Sequence, residues 1–90
     1  MITAVGTSEF DYYEDKLRSG KSNPISVLVE AFKDLHKEEV SFGRMGIVYK
    51  NCLKDPYFVL NGIWDTQGAE VTGQRINYLA GMLSKRLNKK

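Results

Sequence analysis

Apolar residues recur along this chain with a period near 3.6, and five segments carry the spacing. The clearest is Arg75–Lys90, where Ile76, Leu79, Ala80, Leu83 and Leu87 fall at the intervals that gather side chains into one stripe of an α-helix. We read this helix as the element around which the others are arranged. A second strong stripe, Ile25, Leu28, Val29, Phe32 and Leu35, begins at Asn23-Pro24, because Asn caps well and Pro is pre-shaped for a first helical position. It runs to about Glu38 and supplies half of the expected core.

The remaining segments are weaker. Ser8 with Glu9 and Asp11 opens a short acidic helix over Glu9–Ser19 that shows Phe10, Tyr13 and Leu17 on one face and ends at Gly20. Its thin apolar face predicts the least firmly docked element. Ser41 caps a third helix, with Phe42, Met45, Val48 or Tyr49, and Cys52 or Leu53 on one side. Gly43 and Gly46 each disfavour that helix by about 1 kcal/mol relative to Ala, which implies a close backbone approach or an irregular first turn. Asp55-Pro56 opens a fourth helix whose face is Tyr57, Leu60, Ile63 and Trp64. Thr66–Gly73 reads as a loop.

No segment alternates with period two over a useful length, so the expected fold is all-α, a single small bundle of four to five short helices. Residues 1–20 form a tail and the acidic helix, and residues 21–90 the compact helical domain. A chain of 90 residues supports one core, and 42% hydrophobic residues with ten aromatics argue against disorder. Met1–Thr7 shows no period and reads as a loose terminus.

Charge is unevenly spread. Residues 1–40 carry a net −3 and residues 41–90 a net +5, which predicts a molecule with one basic side, or an acidic arm that covers that side. The last helix holds Arg75, Lys85, Arg86, Lys89 and Lys90 with no acid, a surface suited to a polyanion. One cysteine excludes an internal disulfide and fits a reducing, cytoplasmic setting, and no apolar run approaches the roughly 20 residues that span a bilayer.

Catalytic constellations are sparse, and an enzyme is not expected. Cys52 lies on an apolar stripe, as a small buried hydrophobe does. His36, among Lys33, Asp34, Lys37 and Glu38, reads as solvated. Lone His and Cys residues offer no metal site, and no Gly-rich phosphate loop occurs, so no cofactor is expected. Gly43-Arg44-Met45-Gly46 matches the bare GxxG of KH domains without the strands that fold needs, yet small residues beside Arg44 permit close approach of a phosphate. Tyr49-Lys50-Asn51 and Asn77-Tyr78 set rings beside hydrogen-bond donors, a combination that stacks bases while holding phosphates. Candidate nucleic-acid contacts are therefore Arg44, Lys50, Arg75, Tyr78, Lys85, Arg86, Lys89 and Lys90. Tyr57, Phe58 and Trp64 cannot all enter so small a core, and they are the candidate protein-binding residues.

Residues 22–90 resemble the C-terminal domain of DnaD-like replication-initiation proteins and phage replisome organisers of Gram-positive hosts. The matching stretches are PISVLVEAFKDL, Ser41-Phe42-Gly43, the Asp55-Pro56 helix through VLNGIW, and Ile76–Leu83. The family closes on a tyrosine, an aliphatic residue four later and a tryptophan four beyond. Tyr78 and Met82 fit, and Arg86 stands at the tryptophan position. The resemblance implies a DNA-binding role for Tyr78 and, by position, for Lys85 through Lys90, and the reading is an accessory of replication that binds single- or double-stranded DNA, with a replicative helicase or another replication protein as a candidate partner. The alternative is a protein-interaction module, a helicase-loading adaptor or an oligomerisation domain, without direct DNA binding.

Overall fold

The computed structural model describes residues 9–88, and within them the chain forms five helices: α1 Glu9–Ser19, α2 Pro24–His36, α3 Phe42–Asn51, α4 Pro56–Thr66 and α5 Arg75–Asn88. The expected loose terminus and Ser8 cap, like Lys89 and Lys90, lie outside the described residues. No strand occurs among the described residues, and the fold is a small all-α bundle.

Three helix starts follow directly from their capping side chains. Asn23 Oδ1 accepts from Ile25 N at 2.8 Å, Ser41 Oγ from Arg44 N at 3.1 Å, and Asp55 Oδ1 from Tyr57 N and Phe58 N at 3.1 and 3.2 Å. Helix α2 stops slightly earlier than its apolar pattern suggests, because Lys37 turns into the left-handed region at φ 59° and returns its N–H to Lys33 O. The α3–α4 turn takes two successive left-handed residues, Leu53 at φ 62° and Lys54 at φ 57°.

The centre of the bundle is α2 rather than α5. It packs against α1, α3 and α4, and buries Val27, Leu28, Ala31, Phe32, Leu35 and His36, a wider band than one stripe. Helix α5 lies chiefly on α4 through Ile76, Leu79 and Leu83, with Ala80 and Leu87 half-buried at its edges. Helix α1 shares the same core. Tyr13 is buried and donates from its hydroxyl to Asp34 Oδ2 at 2.9 Å, Lys16 meets Glu30 at 3.1 Å, and Phe10 packs edge-on against Trp64. Helix α1 thus sits on α2 and α4.

Two stripes differ from the sequence expectation. On α3, Met45 and Val48 are buried with Cys52 just beyond the helix, while Phe42 and Leu53 face solvent. The first turn of α3 is regular, and a methyl at Gly46 would meet only the tip of Ile25 at 3.6 Å. On α4, the buried side is Val59, Leu60, Gly62, Ile63 and Thr66, so Tyr57 turns outward and Trp64 stands at the border. Gly62 is the reason α5 comes so close: a Cβ there would lie 2.5 Å from Leu83 Cδ2 and 3.2 Å from Leu79 Cδ1.

Candidate nucleic-acid interface

Helix α5 is positioned by a polar clasp at its first residue. His36 is buried, not solvated as its charged sequence neighbours suggest, and its ring stacks on Phe32 with centroids 4.5 Å apart. The tautomer follows from the partners. Arg75 Nε can only donate, so His36 Nδ1, 2.7 Å away, is the bare acceptor. The proton therefore sits on Nε2, which donates to Ile63 O at 3.0 Å and lies 3.1 Å from Thr66 Oγ1. Arg75 Nη2 donates to Thr66 O and Gln67 O at 2.9 and 3.1 Å, covering carbonyls left over at the end of α4, and Glu38 Oε2 accepts from Arg75 N at 3.1 Å. Burial, then the Arg75 guanidinium, hold the histidine pKa below its ordinary 6.5, against opposing pulls from the Ile63 carbonyl and Glu38.

The outward side of α5 carries Gln74 just before it, then Asn77, Tyr78, Gly81, Ser84, Lys85 and Asn88, all exposed. At helical rise this ridge is roughly 20 Å long. Arg44 reaches it from α3, donating from Nη2 to Asn77 Oδ1 at 2.8 Å and Gln74 Oε1 at 3.4 Å. These partners are neutral amides, and Glu38 and Glu39 line a small depression together with Arg44 and Gln74. Asn77, Tyr78, Gly81, Met82 and Lys85 line a shallow depression of about 270 Å³ in which the Tyr78 ring is 44% exposed. No carboxylate stands on the ridge. Three stand near its N-terminal end: Glu70 in the preceding loop, which lines a depression with Gln74, Asn77 and Tyr78, and the same Glu38 and Glu39.

The structure divides the sequence candidates. Tyr78 and Lys85 line one depression, and Arg44 reaches the ridge at Asn77, which lines it too. Arg75 is taken up by the clasp, and Arg86, on another side of α5, pairs with Asp65 at 2.8 Å. Lys50 is exposed on the last turn of α3, one residue before Asn51, which joins Ser84 and Asn88 in lining a cleft of about 350 Å³ between α3 and α5. Lys89 and Lys90 follow Asn88 in the sequence and lie outside the described residues. Of the candidate protein-binding residues, Tyr57 is 37% exposed, Phe58 is half-buried against the core, and Trp64 is covered on one side by Phe10. Sequence reasoning passed over Gln74, Ser84 and Asn88, although their spacing from Tyr78 and Lys85 places them on the same side of a helix.

Among the described residues no group of three His, Cys, Asp or Glu side chains could hold a metal ion, and burial pushes the Cys52 thiol above its ordinary range, away from the reactive thiolate. No helix of the described residues is long and apolar enough to cross a membrane. No family profile, curated protein or solved structure matches the chain.

Proposed function

We propose that this protein binds DNA through the outward ridge of α5, as an accessory of replication. The observation that carries the reading is an exposed Tyr78 ring on a ridge of α5 that carries Lys85 and no carboxylate of its own, reached at Asn77 by Arg44 from α3. Cations hold phosphates and the amides of Gln74, Asn77 and Asn88 offer neutral donors and acceptors along the same line. Lys89 and Lys90 extend the positive charge in sequence. The replication role rests on the sequence resemblance of residues 22–90 to the DnaD-like domain, and a replicative helicase or another replication protein is a candidate partner.

The test is fluorescence anisotropy with short single-stranded and duplex oligonucleotides over a salt series. Neutralisation of three to four phosphates gives log K a slope of about −3 against log salt. Replacing Lys85, Lys89 and Lys90 by Ala together is expected to flatten that slope, and Glu70→Gln to raise affinity. Arg86→Ala, whose charge is already matched by Asp65, is expected to change little. Undiminished affinity in the triple variant would overturn the proposal.

A second reading, a protein-interaction module, is favoured by one specific feature. Phe42, Ile47, Leu53 and Tyr57 are 51, 59, 78 and 37% exposed across α3, the α3–α4 turn and the start of α4. Light scattering and a pull-down in which Ile47→Asp and Leu53→Asp abolish capture, with DNA binding absent, would favour this reading over the first.

A further inference from the structure

The clasp at the start of α5 is a hydrogen-bond arrangement that works with only one protonation state of His36. Both ring nitrogens are committed: Nε2–H to the α4 carbonyl of Ile63, and bare Nδ1 to the Nε–H of Arg75 at 2.7 Å. A second proton on the ring has nowhere to go but Nδ1, where it meets another N–H and a full positive charge. The ring cannot move away easily, since it is buried, stacked on Phe32 and adjacent to Thr66 Oγ1. Arg75 is the freer member, because its side chain comes from the first turn of α5 and is only partly buried.

We propose that His36 and Arg75 form an acid-released catch, in which protonation of His36 expels the Arg75 guanidinium and frees the first turn of α5 and the preceding loop. Expulsion leaves the Thr66 and Gln67 carbonyls, which Arg75 now covers, to water. The rest of α5 stays docked, because Leu79 and Leu83, beyond the first turn, remain buried in the apolar core.

The charged groups around the ring set the direction. From α5 the cluster sees Arg75, which opposes protonation. From the segment just after α2 it sees Glu38, which favours it and also accepts from Arg75 N. From α4 it sees only the neutral Ile63 carbonyl and Thr66 hydroxyl. Lys33, on the solvent side of α2, pairs with Glu39 instead. Glu38 is therefore the group that receives the new imidazolium once Arg75 leaves, which makes the change an exchange of partners rather than the burial of an unpaired charge.

The proposal is independent of what α5 binds, and its test reads α5 itself. Histidine ¹⁵N shifts and amide hydrogen exchange, corrected for intrinsic rates, are compared at about pH 7.5 and about pH 5. The expected result is a neutral Nε2–H ring at the higher pH. At the lower pH, protection of the Arg75 and Tyr78 amides, which now donate to Glu38 and to Gln74 O, should fall about tenfold relative to Leu28–Phe32 of α2. His36→Gln keeps a donor and an acceptor without titrating, so it should retain first-turn protection at both pH values. If that variant does not fold, Arg75→Gln serves: first-turn protection should be low at both pH values and the His36 titration should move upward. A ring that stays neutral at the lower pH with unchanged α5 protection overturns the catch. So does loss of protection that is uniform across α2 and α5, since that is global unfolding.

Discussion

Gly62→Ala is the sharpest test of how α4 and α5 meet. The added methyl carbon would stand 2.5 Å from Leu83 Cδ2 and 3.2 Å from both Leu83 Cγ and Leu79 Cδ1. Comfortable carbon–carbon contact is about 3.5–4.0 Å, so the nearest pair is short by about 1 Å. A surface leucine would swing aside. Leu83 and Leu79 are 1% and 0% exposed, so neither has room to retreat without moving α5 outward. Overpacking of this kind costs about 2–3 kcal/mol, and Ala's better helix propensity returns about 1 kcal/mol. The net loss is about 1–2 kcal/mol, or roughly 5–15 °C in Tm for a domain of this size. Urea and thermal unfolding followed by far-UV circular dichroism measure it. Gly81→Ala is the matched control: it lies on the open side of α5 with nothing within 4 Å, and should gain about 0.5–1 kcal/mol. Equal effects of the two substitutions, or a stabilised Gly62→Ala, would refute the close approach.

Leu53→Gly removes a leucine that is 78% exposed and held at φ 62°, so relief of the left-handed backbone should outweigh the lost side chain. A gain of about 0.5–1 kcal/mol in urea melts is expected, and a loss would mean Leu53 has a packing role. Asp55→Ala unties the α4 cap at Tyr57 N and Phe58 N and should cost about 1 kcal/mol in the same assay, with Asp55→Asn nearly neutral. Tyr13 should resist alkaline ionisation, because burial, then the Asp34 hydrogen bond and charge, raise its pKa above the ordinary 10.0. The folded state holds that proton more tightly than the unfolded one. Its contribution is therefore complete below about pH 10 and declines as pH rises beyond it, seen as one of the five tyrosines lagging in an ultraviolet titration. If all of them ionise together while the protein stays folded, Tyr13 is not buried as described.

Element positions were readable in the sequence because the signals are local. Asn23-Pro24, Ser41 and Asp55-Pro56 cap their own helices, and a cap acts over three or four residues. What was not readable depends on which helix lies opposite. His36 follows Phe32 by four positions, which puts it on the buried side of α2, but its charged neighbours obscured that placement. Arg75 precedes Leu79 by four and so belongs to the buried side of α5, where its charge is usable only because His36 and two α4 carbonyls wait there. Gly62 shares a side with Val59, Ile63 and Thr66, and nothing in one sequence tells a packing glycine from a spacer. The candidate interface was legible in Tyr78 and Lys85. Its contribution from Arg44 was marked as a residue but not as a neighbour of Asn77, since that pairing joins positions far apart in the chain.

The central place of α2 bears on how the chain assembles as it is synthesised. Its neighbours α1, α3 and α4 all emerge before α5, so a scaffold of adjacent segments can gather first, at low loop-closure entropy. The closing segment then docks onto a surface already prepared for it. Any ability seated on that segment's outer side would be acquired only once this docking is complete.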